Sequence, residues 1–598
     1  MPGDAAAQER LQAAVRRMCD RMHARGPDAI GFCDDAGAGL SLGHRRLSIL
    51  DLESRADQPM VSADGRYVIV YNGEIYNFRE LRQSAEREGI RFRTQSDTEV
   101  LLELFAHQGE AMLPRLRGMF ALAIWDRQVR HVFLARDPYG IKPLYVGRTK
   151  DGWLFASQVK ALMTSGMVSN APDPIGQAGF WMLGSVPEPH TWYRDIQALP
   201  AGHSAYLTES GMQPPRRFRD IGDAWRQGPI PVPEESMVRE HVRAALQDSV
   251  QSHLVSDVPV GVFLSGGVDS GSLAALMKQA GSIDLQGITI AFREFSGRHE
   301  DEVPMAVQLA ARYGVTHHIR TVTRQEFNDD LPQLLNAMDQ PSVDGINTWY
   351  ASKAVAELGL KVVVSGVGGD ELFQGYSSFQ RLPRLVSRWG RLSRLPGAKM
   401  LSRKAMALAV RRSGNQRWQH APDWLRSISG AWWLGRGLFS PADLPALMGE
   451  DQAAAATQDF DPNSWIGRMS GILPADPRLA LALIESTTYL RNQLLRDSDW
   501  ASMDHSVELR TPLVDAMLLD ALTPVLAGFA GGAGKAMLAQ APVPMLPDAI
   551  VDRSKTGFGV PMASWLAPAA TLLGETHASA VAADWPRRWA MTVAGAMP

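Results

Sequence analysis

Val258-Pro259-Val260-Gly261-Val262-Phe263-Leu264-Ser265-Gly266-Gly267-Val268-Asp269-Ser270 decides the reading of this chain. An apolar, β-branched run ends in Ser-Gly-Gly-x-Asp-Ser, and a helical pattern (Leu273, Ala274, Leu276, Met277) follows at once. The order is strand, tight loop, helix. Two glycines let the loop bend and bring its amide N–H groups against phosphate oxygens, while the helix N-terminus favours negative charge. Ser265 and Ser270 add hydroxyl donors, and Asp269 is a hard oxygen ligand suited to a phosphate-bound magnesium ion. The loop lacks the Gly-Lys-Ser/Thr ending of the common P-loop, so γ-phosphoryl transfer is not its natural chemistry.

Strands and helices alternate beyond this loop: Val258–Leu264, a helix, Ile288–Phe292, the helix Glu302–Tyr313, then Lys361–Val364. That alternation predicts a parallel, doubly wound sheet, in which loops at the carboxyl ends of neighbouring strands meet over one crevice. Strand Lys361–Val364 runs into a second glycine-rich, acidic loop, Ser365-Gly366-Val367-Gly368-Gly369-Asp370-Glu371-Leu372-Phe373-Gln374-Gly375-Tyr376. Asp269 and Asp370 are therefore expected to converge on one magnesium ion, with Ser365 and Gly366 lining the adenine or ribose. A third segment, Arg553-Ser554-Lys555-Thr556-Gly557-Phe558, would place the Lys555 ammonium where it can neutralise a departing pyrophosphate.

Upstream the pattern changes. Pro214-Pro215 and Pro229–Pro233 mark a linker over residues 211–235, followed by an amphipathic helix with Val242, Leu246 and Val250 at four-residue spacing. Before it, residues 1–210 read as a β-rich, layered α+β domain: Tyr67–Tyr71 is strand-like and runs into Asn72-Gly73, a turn signal. Met119–Trp125 and Val132–Ala135 are further strands, and Asp97–Phe105 is a helix. From about residue 377 the pattern is mainly helical.

Composition narrows the function classes. A chain of 598 residues needs two or three cores. The net charge of -3 supplies no basic field for nucleic acid. Two cysteines, Cys19 and Cys33, exclude a disulfide framework and fit a reducing cytoplasm. No apolar run approaches membrane-spanning length, and the first residues carry no signal-peptide core.

The pyrophosphate loop resembles that of ATP pyrophosphatases. With Ser365–Tyr376, Glu508-Leu509-Arg510-Thr511-Pro512-Leu513-Val514-Asp515 and Arg553–Phe558, it stands in the order found in glutamine-hydrolysing asparagine synthetases. The first third agrees through Arg25-Gly26-Pro27-Asp28, Gly43–Ile49, Tyr71-Asn72-Gly73-Glu74-Ile75-Tyr76-Asn77, Ser96-Asp97-Thr98-Glu99, Leu116–Phe120, Ala135-Arg136-Asp137 and Lys142–Tyr145. These resemble a class II glutamine amidotransferase domain. The resemblance implies an Ntn-type layered α/β sandwich over 1–210 and a doubly wound ATP-pyrophosphatase domain with a helical C-terminal part over 236–598. It implies glutamine held by Arg46, Leu47, Ile49, Asn72, Gly73, Glu74 and Asp97, with Asn72 and Gly73 stabilising the oxyanion. ATP would be held by Leu264, Ser265, Gly266, Gly267, Asp269, Ser270, Ile290, Ser365 and Gly366, the metal by Asp269 and Asp370, with Lys555 catalytic.

The implied activity is asparagine biosynthesis from aspartate, ATP, Mg²⁺ and either glutamine or ammonia, giving AMP and pyrophosphate, in a cytoplasmic enzyme whose expected oligomer is a homodimer. Two departures stand out. The family begins Met-Cys-Gly-Ile, the cysteine being the nucleophile; this sequence begins Met1-Pro2-Gly3-Asp4. Cys19 lies inside a helical pattern and Cys33 precedes two aspartates, so neither replaces it, and loss of such a nucleophile lowers turnover by on the order of 10⁶-fold. The expectation is that the first strand, bearing Met-Cys-Gly, lies outside the sequence as given. Competing expectations are an ammonia-dependent ligase, an internal-amine ligase of the β-lactam or peptide-cyclising kind, and a catalytically dead scaffold. The second departure is Val367, where asparagine synthetases carry an acidic residue, together with an unusual Asp344–Trp349 segment, so that aspartate is only the default acceptor.

Overall fold

The computed structural model describes residues 5–227, 235–393, 421–553, 559–566 and 584–597. The first domain is built on a mixed-length antiparallel sheet. Its strands, in spatial order, are β11 (Gly211–Met212), β10 (His203–Thr208), β6 (His131–Arg136), β5 (Gly118–Asp126), β4 (Tyr67–Ile75) and β3 (Met60–Val61), with β12 (Arg216–Arg217) also on β10. Alternation along β4 explains its layering, because successive side chains point to opposite faces. Ile69 and Tyr71 join a core with the helices Phe78–Arg87 and Asp97–Gln108, whereas Val68 and Val70 pack toward Leu42, Leu144 and Val146. Those last residues belong to a second layer: β1 (Ala29–Asp35) with β2 (Leu40–Arg46), and β7 (Tyr145–Arg148) between β8 (Trp153–Ala156) and β9 (Ile196–Ala198). Helices Ala5–Arg21 and Val159–Thr164 cover its outer side. The result is the helix–sheet–sheet–helix sandwich of the Ntn type.

One local expectation fails. Asn72-Gly73 is not a turn: β4 continues through it to Ile75, paired with β5 from Tyr67↔Asp126 to Ile75↔Gly118. An Asn-Gly pair makes a hairpin only where the chain is free to reverse. Here both faces of the strand are buried, and Gly73 takes φ +150 so that the backbones can close, since a Cβ there would lie 2.0 Å from the Met119 carbonyl oxygen.

The second domain is the parallel sheet that the alternation predicts. Its order is β15 (Thr316–Val322), β14 (Gln286–Phe292), β13 (Val260–Phe263), β16 (Val362–Val364) and β17 (Glu508–Arg510), and every neighbouring pair is parallel. Strand β13 is followed by helix Val268–Gln279, and β14 by Val303–Tyr313. Val242, Leu246 and Val250 of helix Glu235–His253 are fully buried, as their spacing requires. The described elements after Ser377 are all helices, apart from β17. They include a ten-residue π-helix, Ser486–Leu495, between the α-helices Pro477–Glu485 and Arg496–Met503.

The domains share a core. One hydrophobic cluster runs from Met18 and Tyr145 through Leu273 and Trp500 to Trp589. Buried ion pairs fix the register across the join: Arg25 with Asp499 in a two-point contact (2.7 and 3.0 Å), Arg117 with Asp515 (2.6 Å), and Arg510 with Glu74 (3.4 Å). Breaking such a pair from one side leaves a buried charge uncompensated, at about 3–5 kcal/mol.

Candidate functional site

Two centres emerge. The first is a cavity of about 1,100 Å³ in the amino-terminal domain, and Arg46, Leu47, Ile49, Asn72, Gly73, Glu74 and Asp97 all line it. The polar members are held rigidly. The Arg46 guanidinium donates to the carbonyls of Glu53, Leu50 and Asp51 and to the Asp57 carboxylate at 2.7 Å. Asp97 Oδ2 accepts the Tyr71 hydroxyl at 2.9 Å and the Ile75 amide at 3.0 Å, while Ser96 caps that helix through the Thr98 amide. Burial nevertheless pushes Asp97 up to about 6. Burial, reinforced by nearby Glu508, raises Glu74 well above the usual carboxylate range.

The cavity opens between two strand edges. Among the described residues β2 pairs only with β1, and β8 only with β7, and both unpaired edges line the cavity. Cys19 lines it too, but its thiol lies against Gly43, is 1% exposed, and is pushed up to about 11 by burial. It is a buried thiol of the helix Ala5–Arg21, unsuited to attack as a thiolate. Cys33 sits on β1, with Arg127 at 3.9 Å from its sulfur.

The second centre lies at the carboxyl ends of β13 and β16. Ser265 and Ser270 close the first loop through their hydroxyls (2.8 Å), and the Gly267 amide donates to Ser265 Oγ at 3.2 Å. Leu264, just past the end of β13, and Ile290, on β14, are buried beneath it. The second loop packs directly on the first. A Cβ on Gly366 would lie 2.9 Å from Asp269 Cβ, and one on Gly369 would lie 2.6 Å from Asp269 Oδ1. These glycines make room for one aspartate, and the consequence is convergence: Asp269 and Asp370 share the ammonium of Lys535, the latter at 2.9 Å. Burial would lower the Lys535 pKa, but the two carboxylates outweigh it and hold the group above its ordinary value.

Lys535 was not anticipated from the sequence. Its signal is the run Gly531-Gly532-Ala533-Gly534-Lys535, a glycine-rich stretch ending in a cation. Gly534 lets helix Ala533–Gln540 approach the second loop, since a Cβ there would meet the Phe373 carbonyl at 2.4 Å. Gly375 likewise leaves space for the lysine stem. Lys555 lies outside the described residues. Its neighbour Arg553 donates to the carbonyls of His299 and Asp301, and its guanidinium borders Gly266 of the first loop.

Arg510, on β17, joins the two centres. Its carbonyl accepts the Ser365 amide at 2.8 Å, while its fully buried guanidinium pairs with Glu508 at 2.8 Å and reaches Glu74 at 3.4 Å. Glu508 and Met503 also line the amino-terminal cavity, so the second domain supplies part of its wall.

Residues 3–219 match the glutamine amidotransferase domain family, and residues 241–585 match the asparagine synthase family. A Mycobacterium tuberculosis homologue of the glutamine-hydrolysing asparagine synthetases is 33% identical over 94% of this chain and 87% of its own length. Asparagine synthetase [glutamine-hydrolyzing] 1 of Bacillus subtilis is 31% identical over 92% of this chain and 84% of its own. Asparagine synthetase B of Escherichia coli is 32% identical over 60% of this chain and 61% of its own. No described helix is long and apolar enough to cross a membrane.

Proposed function

The chain belongs to the glutamine-hydrolysing asparagine synthetase family of ligases, and from that premise we propose that it adenylates a carboxylic acid with ATP and converts it to an amide. The carrying observation is that Asp269 and Asp370, from two loops at adjacent parallel strand ends, hold one cation between them with glycines shaped around the contact. A cation already stands between these carboxylates, so the donor set suits a positive ion. Two aspartates plus substrate phosphates are the usual protein share of a magnesium site. Bound there, Mg²⁺ would neutralise charge on the pyrophosphate leaving group.

In this reading the Ser265–Ser270 loop cradles the phosphates with its amides and hydroxyls, and Ser365 and Gly366 face the nucleoside. An acceptor carboxylate oxygen bonds the α-phosphorus as the bond to pyrophosphate breaks. Ammonia then bonds the acyl carbon, gives up a proton to solvent, and AMP departs. Lys535 orders the two aspartates before nucleotide arrives, and Lys555 is proposed to stabilise the departing pyrophosphate.

Ammonia is proposed to come from glutamine held in the 1,100 Å³ cavity, with its ammonium facing Asp97 and Glu74 and its amide near Asn72 and Gly73. The open edges of β2 and β8 support an extended segment, N-terminal to the residues given, that carries the cysteine between them. The test is product analysis with ATP, Mg²⁺ and ammonium. AMP and pyrophosphate are expected, and ADP with orthophosphate would overturn the proposal. The mass of the native amino terminus tests the segment: a mature terminus at Met1 or Pro2 would make the enzyme ammonia-dependent.

A further inference from the structure

A second cavity, of about 330 Å³, lies where the domains meet, bounded by Leu183 and Ser185 of the first and by Asp344 and Arg436 of the second. Its size is that of a small-molecule site. Three indoles wall it: Trp432 and Trp465, both 2% exposed, and Trp585 at the start of the C-terminal helix Trp585–Gly595. Trp465 donates its N–H to the Glu188 carbonyl at 3.0 Å. The Trp432 N–H is buried without a hydrogen-bond partner among the described residues, an arrangement that costs stability unless a ligand acceptor completes it.

One helix connects the cavity to the second nucleotide loop. The cavity floor is this π-helix, Ser486–Leu495, a form concentrated at functional sites. That helix packs against Gly369–Leu372, the turn that carries Asp370. Arg436 stacks on Tyr489 of the π-helix (3.7 Å to the ring centre) and on Tyr376 (4.7 Å), whose hydroxyl donates to Glu371 at 2.7 Å. Val367, in the same loop, is partly buried against the surrounding apolar core.

Charge selects among acids. Aspartate brings two carboxylates; once one is activated, the other needs a cation. Arg436 is the cation among the described lining residues, and its three contacts of 3.0, 3.1 and 3.3 Å all go to Glu485, while its faces are taken by tyrosines. Asp344, by contrast, is a carboxylate whose hydrogen-bond partners are uncharged: the Gly345 amide donates to it at 2.9 Å and Gln493 also bonds it, while Arg436 acts on it through its charge alone. Such a group attracts an ammonium.

Resting on the ligase reading above, we propose that this cavity binds the acceptor, and that the acceptor is an amine-bearing monocarboxylic acid with an aromatic body, not aspartate. The ammonium meets Asp344, the ring lies among the three tryptophans, and the carboxylate points along Arg436 and Tyr376 toward the Asp370 loop.

The experiment compares L-aspartate, L-phenylalanine and L-tryptophan as acceptors for AMP formation by the full chain with ammonium and Mg-ATP, alongside calorimetric binding of each amino acid. The aromatic acids should exceed aspartate in kcat/KM by on the order of tenfold or more. Trp585→Ala, a change at a half-exposed helix start, should raise their KM about tenfold and leave the KM for ATP unchanged. Asp344→Asn should do the same, and 3-phenylpropionate, lacking the amine, should bind the parent protein correspondingly weakly. Preference for aspartate with no response to Trp585→Ala would overturn the inference and leave the ligase reading standing. If no acid yields AMP, the ligase reading falls by itself. Calorimetry then decides the cavity: binding of the aromatic acids that is lost in Trp585→Ala upholds it, and absence of binding overturns it.

Discussion

The two centres treat charge in opposite ways. In the amino-terminal cavity, Arg46 is saturated by carbonyls of its own loop and by Asp57, and Asp97 is held by Tyr71 and Ile75. Every partner there is a fixed part of the protein. At the synthetase loops, Asp269 and Asp370 instead lean on one lysine from a distant helix, and each of these side chains keeps 14–23% of its surface in solvent. The first arrangement suits recognition of a ligand of constant charge. The second suits a place where cations are exchanged as nucleotide comes and goes.

The contrast breaks most easily at the aspartates. Asp269→Asn or Asp370→Asn should lower AMP formation on the order of 10³-fold while the chain stays folded, as read by product chromatography and thermal melting. Retention of activity within about tenfold of the parent would mean that the shared carboxylates are not the reaction centre. Lys535→Met comes next. Two facing carboxylates would lose their counter-charge, lowering stability by about 3 kcal/mol in magnesium-free urea titrations. Mg-ATP should restore much of this, because it brings the missing positive charge; an equal loss with and without Mg-ATP would contradict the exchange picture.

The fixed cavity is probed by pH. Asp97 is raised by burial to about 6, so it is ionised above that value and neutral below it. Its attraction for the ammonium of glutamine should approach full strength about one unit above pH 6 and weaken up to about tenfold per unit as pH falls below 6. The effect on folding has the opposite sign: a raised carboxyl favours the folded state at low pH, and that contribution is lost as pH rises from near 4 through 6. Calorimetry of glutamine between pH 5 and 8 tests this, a flat profile removing Asp97 from the binding role. The smallest effects belong to the thiols. Cys19→Ala should cost about 1 kcal/mol through lost packing, and Cys33→Ser less, with ammonium-supported AMP formation unchanged in both. Loss of glutamine hydrolysis in Cys19→Ala would reassign the nucleophile.

Much of this organisation was legible in the sequence. Alternating strands and helices after residue 258 specify the parallel sheet because each apolar run is a fully buried strand and each glycine loop marks its carboxyl end. The convergence of Asp269 on Asp370 follows from that topology. What local reading missed depends on long-range packing. Asn72-Gly73 carries the composition of a turn, yet neighbours on both faces hold it in the middle of β4. Lys535 is separated from Asp269 by most of the second domain, and nothing near it in the chain tells which carboxylates it will meet. The tryptophan cavity is assembled from segments far apart in sequence, and Trp432-Trp433 alone reads as ordinary core.

The position of Arg510 bears on timing. Its peptide carbonyl steadies the turn under the nucleotide while its side chain touches the chamber that would hold the nitrogen donor. On the proposed function, a ligand tugging on Glu74 would be sensed beneath the second centre through one amino acid, a short mechanical route by which ammonia release could wait for an activated acid.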